Sequence, residues 1–387
     1  MSLYFSRDTK VYLKQNNVLF EIPVLDGFEF SQATNASEVT LNEARESSSV
    51  TKSKRSRRMF NDSYSPAEWS FSTYIRPLKS TAGGTNDWEH ANYNRVHSVE
   101  EPLWANFVAN NALTKGGSGA ASAWTDGIEP SGSSYTVVDW TGSEVSELGT
   151  FELFFVLGTG TDKVYKITNC CVNEASIEFD IDGIATISWS GFGAKIVDEG
   201  STTPSATTTI NEGISDTNNF IRNRLTSLAI TAADSTNFPG ASSNGVYNTV
   251  LTGGSITFSN NITFLTPETL GKVDTPIGHV TGTRNIAGNF TCYLDANADG
   301  DVDDLFKHIV EKDRVVSNEF SLTFKVGGAS NSPRVEIKLP QCHLEVPTHA
   351  IEDVISLDVN FHALTASLDP DTTATNYEAT LEYYPPS

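Results

Sequence analysis

The sequence lacks the features of a membrane protein and of a disulfide-stabilised secreted protein. No apolar run reaches the roughly 18 residues that a membrane-spanning helix needs, and the chain opens without the charged-then-apolar pattern of a secretory signal. Only four cysteines occur, without a CxxC pair: Cys170, Cys171, Cys292 and Cys342. Because adjacent cysteines point to opposite faces of a strand, we expect reduced thiols in a protein assembled in a cytosol, in preference to a disulfide framework or a zinc site.

Positive charge is also scarce. The chain has 26 Lys and Arg against 48 Asp and Glu, which gives a formal net charge of −22. Proteins hold phosphates with clustered Lys and Arg, so this excess of acid argues against a protein whose task is to grip nucleic acid or an anionic membrane. Hydrophobic residues make up 38% of the chain, enough to bury a sizeable core.

Signatures of enzymes are missing as well. The sequence has no GxSxG, no Walker loop and no HExxH, and its 7 histidines are scattered. The carboxylates are too numerous for any pair to stand out as acid and base. We therefore predict no catalytic residue, no cofactor and no enzymatic activity.

The sequence does contain repeated alternation of apolar and polar residues. Examples are FELFFVLG at 151–158, SIEFDID at 176–182, EFSLTFKV at 319–326 and SLDVNF at 356–361. A period of two, interrupted by Gly, Asn, Asp and Ser, predicts antiparallel strands. Only residues 99–111 and 302–312 have helical spacing, and each stretch opens with two acidic residues, which favour a helix N-terminus. The chain is therefore predicted to be mainly β, with two short helices.

The order of these segments repeats along the chain. Strand, strand, helix, hairpin and strand follow each other in both halves, so that Phe71 and Tyr74 match Phe290 and Tyr293. Chance similarity between alternating strands is the alternative, but the single helix at the same place in each half favours a duplication. We predict one domain over residues 1–200, a Ser/Thr-rich linker over 201–217 and a related domain over 218–387.

The first half carries insertions that the second lacks. They are the polar stretch 31–62, a loop between strand and helix at 79–98, and a Gly/Ser-rich loop at 113–135. The second half ends in a polar tail whose last part, YEATLEYY, alternates. This segment is predicted to pair with an edge strand of a neighbouring molecule.

One acidic segment resembles part of a calcium-binding loop. Asp295, Asn297 and Asp299 match its first ligand positions, but Phe306 stands where a bidentate carboxylate is required. An acidic strand-to-helix turn accounts for the same residues, since residues 100–101 are also acidic. We regard calcium as the weaker alternative and predict no metal.

A basic cluster interrupts the acidic chain at residues 52–58. It consists of Lys52, Lys54, Arg55, Arg57 and Arg58. A solvated loop is one interpretation. A nucleic-acid patch is another, although no aromatic residues are interleaved for base stacking. We favour a third, a basic arm that docks on the acidic surface of a neighbouring copy.

The repeated unit resembles the tail tube proteins of long-tailed bacteriophages. The similarity lies in the opening stretch 4–41, in the closing stretch 340–367, and in a β-rich unit with one short helix and a long early loop. The resemblance implies two tandem tail-tube-like domains of β-barrel or sandwich type, which form rings by sheet closure between subunits. It also implies that three chains make a pseudo-hexameric ring, and that the rings stack into a tube.

Function and partners follow from the same resemblance. The protein is expected to be a structural component of the virion, assembled in the host cytoplasm, whose acidic lumen conducts DNA at ejection without binding it specifically. Its expected partners are further copies of itself, the terminator and baseplate proteins of the tail, and a sheath protein where the tail has one. The basic cluster is expected to serve ring stacking. The insertions of the first half depart from the family pattern, which puts strict six-fold equivalence of the outer surface in doubt.

Two alternatives remain open from the sequence. A baseplate hub or tube-initiator protein can also present two tube-like domains per chain. An extracellular β-sandwich binding module belongs to a different class, and the missing secretory signal and the repeated helix count against it.

Overall fold

A computed structural model describes most of the chain. It covers residues 3–39, 44–47, 50–53, 57–80, 88, 94–116, 122–137, 148–158, 163–232, 246–265, 276, 278–295, 302–310, 320–328, 331–351, 354–365 and 377–386. The described residues are mainly β, as the sequence predicts. Among them, no helix is long and apolar enough to cross a membrane.

The strands of the first half are β1 Thr9–Gln15, β2 Val18–Ile22, β3 Glu29–Val39, β4 Ala44–Ser47, β5 Val50–Ser53, β6 Arg58–Tyr74, β7 Pro77–Lys79, β8 Val96–Ser98, β9 Leu113–Thr114, β10 Ala123–Trp124, β11 Ile128–Pro130, β12 Tyr135–Val137, β13 Phe151–Leu157, β14 Lys163–Phe179, β15 Thr186–Gly193, β16 Lys195–Gly200 and β17 Thr208–Ile210. Those of the second half are β18 Ser227–Ala232, β19 Val246–Asn248, β20 Leu251–Ser259, β21 Thr263–Leu265, β22 Gly278–Val280, β23 Asn285–Tyr293, β24 Phe320–Gly327, β25 Arg334–Leu344, β26 Thr348–Ile351, β27 Ile355–Ala363 and β28 Thr380–Tyr384.

Both predicted helices are present, as α1 Glu101–Val108 and α2 Val302–Val310. Helix α1 starts two residues later than the predicted stretch, and Pro102 lies in its first turn, where a missing backbone N–H costs nothing. It ends at Val108, because the backbone of the next residue, Ala109, is extended. Every residue of α1 is buried, so this helix lies inside the molecule.

A central antiparallel sheet runs through both halves. Its strand order is β3, β6, β15, the second part of β14, β20, β23, β27, and then β25 followed by β26. Along β6 and β15 alternate residues are buried, as expected for a sheet with one face on a core. Hydrogen bonding does not close the described strands into a barrel, because this sheet ends at free edges. The predicted barrel is therefore not complete within one chain.

Two further strand groups pack behind the central sheet. In the first half the order is β17, β2, β1, β13, the first part of β14, and β16. In the second half it is β19, β18, β24, the first part of β25, β28, β12 and β11. Strands β14 and β25 each bend from one group into the central sheet.

The two halves share their strand register. Phe71 lies opposite Trp189 in the pair β6–β15, and Phe290 lies opposite Val359 in the pair β23–β27. These are the phenylalanines that the sequence repeat aligns. We call two residues corresponding when they hold the same place in the register of their half.

An irregularity of pairing also recurs at corresponding positions. Between β13 and β14 the register shifts next to Cys170, and between β24 and β25 it shifts next to Cys342. Each shift follows the first residue of the incoming strand, Phe151 or Phe320. A β-bulge bends and twists the strand that carries it, and β14 and β25 bend into the central sheet at these places.

The core lies between the central sheet and the structures behind it, and helix α1 is at its centre. The indole of Trp104 contacts the ring of Trp189 at 4.9 Å between centroids and that of Phe258 at 5.6 Å, both edge to face. Trp104 therefore joins the helix to one strand from each half. Burying an aromatic side chain of this size contributes about 1.5–3 kcal/mol.

The C-terminal strand pairs within its own chain. Strand β28 lies between β25 of the second half and β12 of the first, with Tyr383 opposite both Val335 and Tyr135. The sequence predicts pairing with a neighbouring molecule for this segment, and that prediction is wrong for the described strand. Its two edges are occupied by the chain itself.

The predicted linker is also partly structured. Its residues 208–210 form β17, which pairs parallel with β2. The carbonyls of Gly213, Ile214 and Asp216 accept hydrogen bonds from the guanidinium of Arg76. This segment therefore packs against the first half; the domain boundaries themselves remain a prediction.

Candidate functional site

The outer face of the central sheet is mostly polar, apart from Phe192, which packs against a small buried cluster of Leu148, Cys171, Ile262 and Phe264. Cross-strand pairing places the following residues on it: Glu29, Ser31, Glu68, Ser70, Ser72, Tyr74, Thr186, Ser188, Ser190, Phe192, Glu174, Ser176, Glu178, Ser255, Thr257, Ser259, Asn285, Ala287, Asn289, Thr291, Tyr293, Ser356, Asp358, Asn360, His362, His343, Thr348 and Ala350. We call this surface the polar face. Serine, threonine and asparagine dominate it.

Side chains on the polar face bind one another across the strands. The hydroxyls of Ser72 and Ser188 are 3.0 Å apart, and Ser255 donates to the amide oxygen of Asn289 at 2.8 Å. Asn289 in turn donates to the Asp358 carboxylate at 3.2 Å. Such cross-strand pairs contribute roughly 0.2–1 kcal/mol each. They give the face a fixed, hydroxyl-rich surface.

The charge on the polar face is almost all of one sign. Its acidic residues are Glu29, Glu68, Glu174, Glu178 and Asp358, and the strand positions named above include no Lys or Arg. Lysines lie on the other strand groups instead, where Lys166 bonds Glu199 at 2.6 Å and Lys163 bonds Asp198 at 2.5 Å. The polar face therefore carries acidic side chains and, at the positions named above, no Lys or Arg.

Two histidines mark one end of this face. His343 lies opposite His362 in the pair β25–β27. The carboxylate of Glu345, between β25 and β26, receives a hydrogen bond from Asn360 at 3.0 Å and lies 3.2 Å from His362 Nε2. These two contacts lower the pKa of Glu345 below its ordinary value. No cluster of three or more potential metal ligands occurs among the residues that the structure describes.

The two halves meet in the middle of the central sheet. The second part of β14 pairs antiparallel with β20, from Glu174 opposite Ser259 to Phe179 opposite Gly254. We call this pairing the internal seam. On its buried side Ile177 lies opposite Ile256, and on the polar face Ser176 and Thr257 are 3.1 Å apart through their side-chain oxygens. The seam therefore joins the halves through backbone, core and surface contacts at once.

Both ends of the central sheet expose an edge. Of the described strands, only β6 pairs with β3 and only β27 pairs with β26. Large apolar side chains are exposed beside β26: Ile351 is 79% exposed, Val346 67% and Val354 58%. Apolar side chains next to unpaired backbone groups are typical of an edge that pairs with another chain.

The basic cluster lies on an extension of the β3–β6 hairpin. β3 continues to Val39 opposite Arg58, beyond the residues of β6 that pair with β15. We call residues 34–64 the arm. Exposed apolar side chains accompany the charges there, since Met59 is 61% exposed and Phe60 54%. An exposed extension of this kind is suited to contact another molecule.

The structure describes part of the predicted basic cluster. Arg57 forms an ion pair with Glu38 at 3.2 Å, and Arg58 begins β6. The backbone of Lys52 lies in the short hairpin β4–β5. Lys54 and Arg55 lie outside the described residues. The proposed role of the cluster therefore remains a prediction.

The calcium candidate is only partly described. The backbone carbonyl of Asp295 accepts a hydrogen bond from the N–H of Asp303, 3.3 Å away, at the start of α2. Asn297 and Asp299 lie outside the described residues. The carbonyl contact agrees with an acidic strand-to-helix turn, and the calcium alternative is not tested.

A buried acidic pair at the start of α1 is a feature that the sequence did not reveal. Glu100 and Glu101 are 1% and 0% exposed. Burial raises the pKa of Glu100 to about 7. Hydrogen bonds from the backbone and from Tyr383 lower this pKa, but their effect is smaller than that of burial. Glu101 accepts from the indole of Trp124 at 2.7 Å and lies 2.9 Å from His97 Nδ1. The insertion loops of the first half supply these covering groups.

The four cysteines are buried thiols without a disulfide partner. Burial raises the pKa of Cys171 and of Cys292 to about 12, and raises those of Cys170 and Cys342 as well. Thiols protonated at neutral pH are poor nucleophiles. These cysteines therefore serve as small core residues.

A mainly β protein with a polar sheet face and two exposed sheet edges has the features of a structural protein that assembles with other chains. Comparison with known proteins gives the family. The sequence model of the phage tail tube protein family matches residues 81–363, and the chain belongs to this family. It is 29% identical over 388 aligned residues to the tail tube protein pb6 of Escherichia phage T5, and the match covers 95% of this chain and 74% of that relative. The protein is thus a structural component of a phage virion and not an enzyme.

Proposed function

We propose that three copies of this chain close into a ring, that the polar face lines the channel of the ring, and that stacked rings form the tail tube. The observation that carries this proposal is the polar face itself. Eight strand positions from both halves, the last of them shared by β25 and β26, present acids and hydroxyls on one side, and no Lys or Arg. Between the two edge strands the other side packs on the core, so this face is the natural wall of a water-filled channel.

The size of the central sheet supports three copies. With strands about 4.8 Å apart and tilted by about 40°, 24 strands close into a barrel with a backbone diameter of about 48 Å. Two copies would give only about 32 Å by the same reasoning, from which inward side chains take several Å on each side. Three copies leave a channel wide enough for a DNA duplex.

Pseudo-six-fold symmetry follows if the two halves are related by duplication. The matching register at Phe71 and Phe290, and the bulge beside Cys170 and Cys342, support a duplicated domain with its boundary at residues 201–217. In such a ring the six units are equivalent along the channel wall. They differ outside, where the first half carries the arm and its loops.

The charge of the wall suits the passage of DNA. Binding of DNA depends on Lys and Arg that neutralise phosphates. A wall with acids at Glu29, Glu68 and Glu178 and no basic side chain leaves the DNA hydrated and mobile. Conduction without specific binding is the function that this surface supports best.

Ring stacking is assigned to the arm. Its basic residues, among them Arg57 and Arg58, face an acidic protein, and attraction between arm and neighbouring ring steers the contact. At its two ends the tube meets other tail proteins, namely the terminator and the baseplate, and a sheath where one is present.

Electron microscopy of the purified protein tests the proposal. Negative-stain images should show rings or tubes with six lobes and three-fold symmetry in end view. Dispersed monomers at all protein and salt concentrations would overturn it, as would rings of a different copy number.

A further inference from the structure

The internal seam shows which surfaces the copies use to bind each other. In the central sheet, β14 ends the first half and β20 begins the second, and the two pair directly. The strand that corresponds to β20 is β3, at one free edge. The strand that corresponds to the second part of β14 is β26, at the other free edge. The chain therefore contains one complete pair of this kind, β14 with β20, and two unpaired edge strands, β26 and β3, that correspond to its two members.

The register of β26 follows from its neighbour β27. Ser176 in β14 lies opposite Ser188, and Thr348 in β26 lies opposite Asp358. Ser188 and Asp358 correspond, because each precedes the residue that pairs with Phe71 or Phe290. Thr348 therefore corresponds to Ser176.

The register of β3 follows in the same way from β6. Ser31 lies opposite Glu68 in β6, and Thr257 lies opposite Ala287 in β23. Glu68 and Ala287 correspond, since Glu68 lies three residues before Phe71 and Ala287 lies three residues before Phe290. Ser31 therefore corresponds to Thr257.

We propose that β26 of one copy pairs antiparallel with β3 of the next copy, with Thr348 opposite Ser31. This proposal rests on the ring described under the proposed function and adds its edges and its register. Within one chain, Ser176 meets Thr257 with 3.1 Å between the side-chain oxygens. Between chains, a threonine meets a serine at the same place. A serine and a threonine thus face each other in both pairs, but the threonine is on β26 between chains and on β20 within the chain.

Apolar side chains also meet on the buried side in the same register. Inside the chain, Phe179 lies opposite Gly254 and is 4% exposed. At the corresponding place between chains, Ile351 lies opposite Phe28. The 79% exposure of Ile351 in the single chain is then the exposure of an interface residue before assembly, and pairing buries it.

Disulfide trapping tests the register. The double variant Ser31→Cys with Thr348→Cys should form covalent dimers and trimers under mild oxidation, and no larger species. Two variants serve as controls. Ser31→Cys with Ala350→Cys is shifted by two residues, and Ser31→Cys with Ser356→Cys is one strand too far, so that in each the Cα atoms lie beyond the roughly 7 Å that a disulfide spans. The native cysteines are buried and contribute little background.

The outcomes separate this proposal from the ring itself. Trapping of the first variant alone, at least tenfold above both controls, supports the register. Equal or better trapping of the Ala350→Cys variant overturns it, and so does intact ring formation with no trapping in any variant. If microscopy shows no rings at all, it is the proposed function that fails.

Discussion

The ring of Phe179 stacks on the ring of Phe324 across the internal seam, with centroids 5.3 Å apart and planes 10° from parallel. Phe179 ends β14 of the first half, and Phe324 belongs to β24 of the second. The residues that correspond to them are Ile351 and Phe155. Phe155 is fully buried and stacks on Phe30 with 4.5 Å between centroids, whereas Ile351 is 79% exposed in the single chain.

Truncation of Phe179 should therefore destabilise the folded chain. Phe179→Ala removes a buried aromatic side chain and should lower the free energy of unfolding by about 3–5 kcal/mol. Urea denaturation of protein held below its assembly concentration measures this. Ile351→Ala is the matched variant, and should leave the stability of the isolated chain within about 0.5 kcal/mol while weakening ring formation. Equal losses of stability in the two variants would contradict the assignment of Ile351 to an interface.

Neutralising Glu100 should remove a pH dependence of stability. Burial places the pKa of Glu100 at about 7, above its unfolded value, so the folded chain holds an extra proton between these values. Stability from this group is therefore present at low pH and is lost as the pH rises towards and through about 7, with about 1.4 kcal/mol for each pKa unit. Glu100→Gln should raise the melting temperature at pH 8 and leave it little changed at pH 5.

The control for this experiment is Glu178→Gln, which also removes one negative charge but from the exposed polar face. Thermal melts at intervals between pH 5 and 8 give the slopes for the three proteins. An unaltered slope for Glu100→Gln would show that the buried carboxyl is not the titrating group.

The hydrogen bond between helix α1 and the C-terminal strand should be measurable by removing its acceptor. The indole of Trp104 donates to the hydroxyl of Tyr383 at 2.7 Å, and both residues are fully buried. Tyr383→Phe leaves that donor without a partner and should cost about 1–3 kcal/mol. A double-mutant cycle with Trp104→Phe separates the hydrogen bond from packing, and strictly additive losses would count against the bond.

Reversing charge on the polar face should make the tube hold DNA. Glu68→Lys with Glu178→Lys places basic side chains on the proposed wall, and assembled tubes of this variant should retain short duplex DNA at low salt and release it as salt rises. The matched variant reverses the exposed acid Asp182, which lies off the polar face beside Arg224. DNA retention by the Asp182→Lys tubes, and not by the polar-face variant, would contradict the proposed orientation.

Charge reversal on the arm should separate ring formation from stacking. Arg57→Glu with Arg58→Glu changes the described part of the basic cluster and should leave rings that stack poorly, with filaments at least several-fold shorter in micrographs. Deletion of residues 47–58 should have the same effect in stronger form. Filaments of normal length in both variants would remove the arm from the stacking contact.

The sequence predicted the elements of this fold better than their long-range contacts. Alternation located the strands around Phe155 and Phe324, and acidic starts located both helices, since these signals are local. The alignment of Phe71 with Phe290 placed both residues in strands of the central sheet, while the duplication itself stays a prediction. The partners of β28 could not be predicted in this way, because alternation indicates a strand but does not specify which strands it pairs with.

The buried acids show a different limit of the sequence. Acidic residues at 100–101 indicated a helix start, but not that it is buried: Trp88 and Trp124 come from inserted loops and cover this site, where Trp88 stacks on His97 at 4.9 Å. Burial of a charge depends on which loop folds over it, and local spacing does not encode that. The sequence also did not predict the polar face as one surface, since its acidic residues come from strands that are far apart in the chain.

The most direct test of the account is a cryo-electron microscopy map of the assembled protein at a resolution that traces strands. The account predicts a three-fold ring of 24 inner strands, with Glu68 and Glu178 directed towards the channel and β26 of each copy beside β3 of the next. A ring whose channel is lined by the opposite face of the central sheet, or by the outer strand groups, would contradict it.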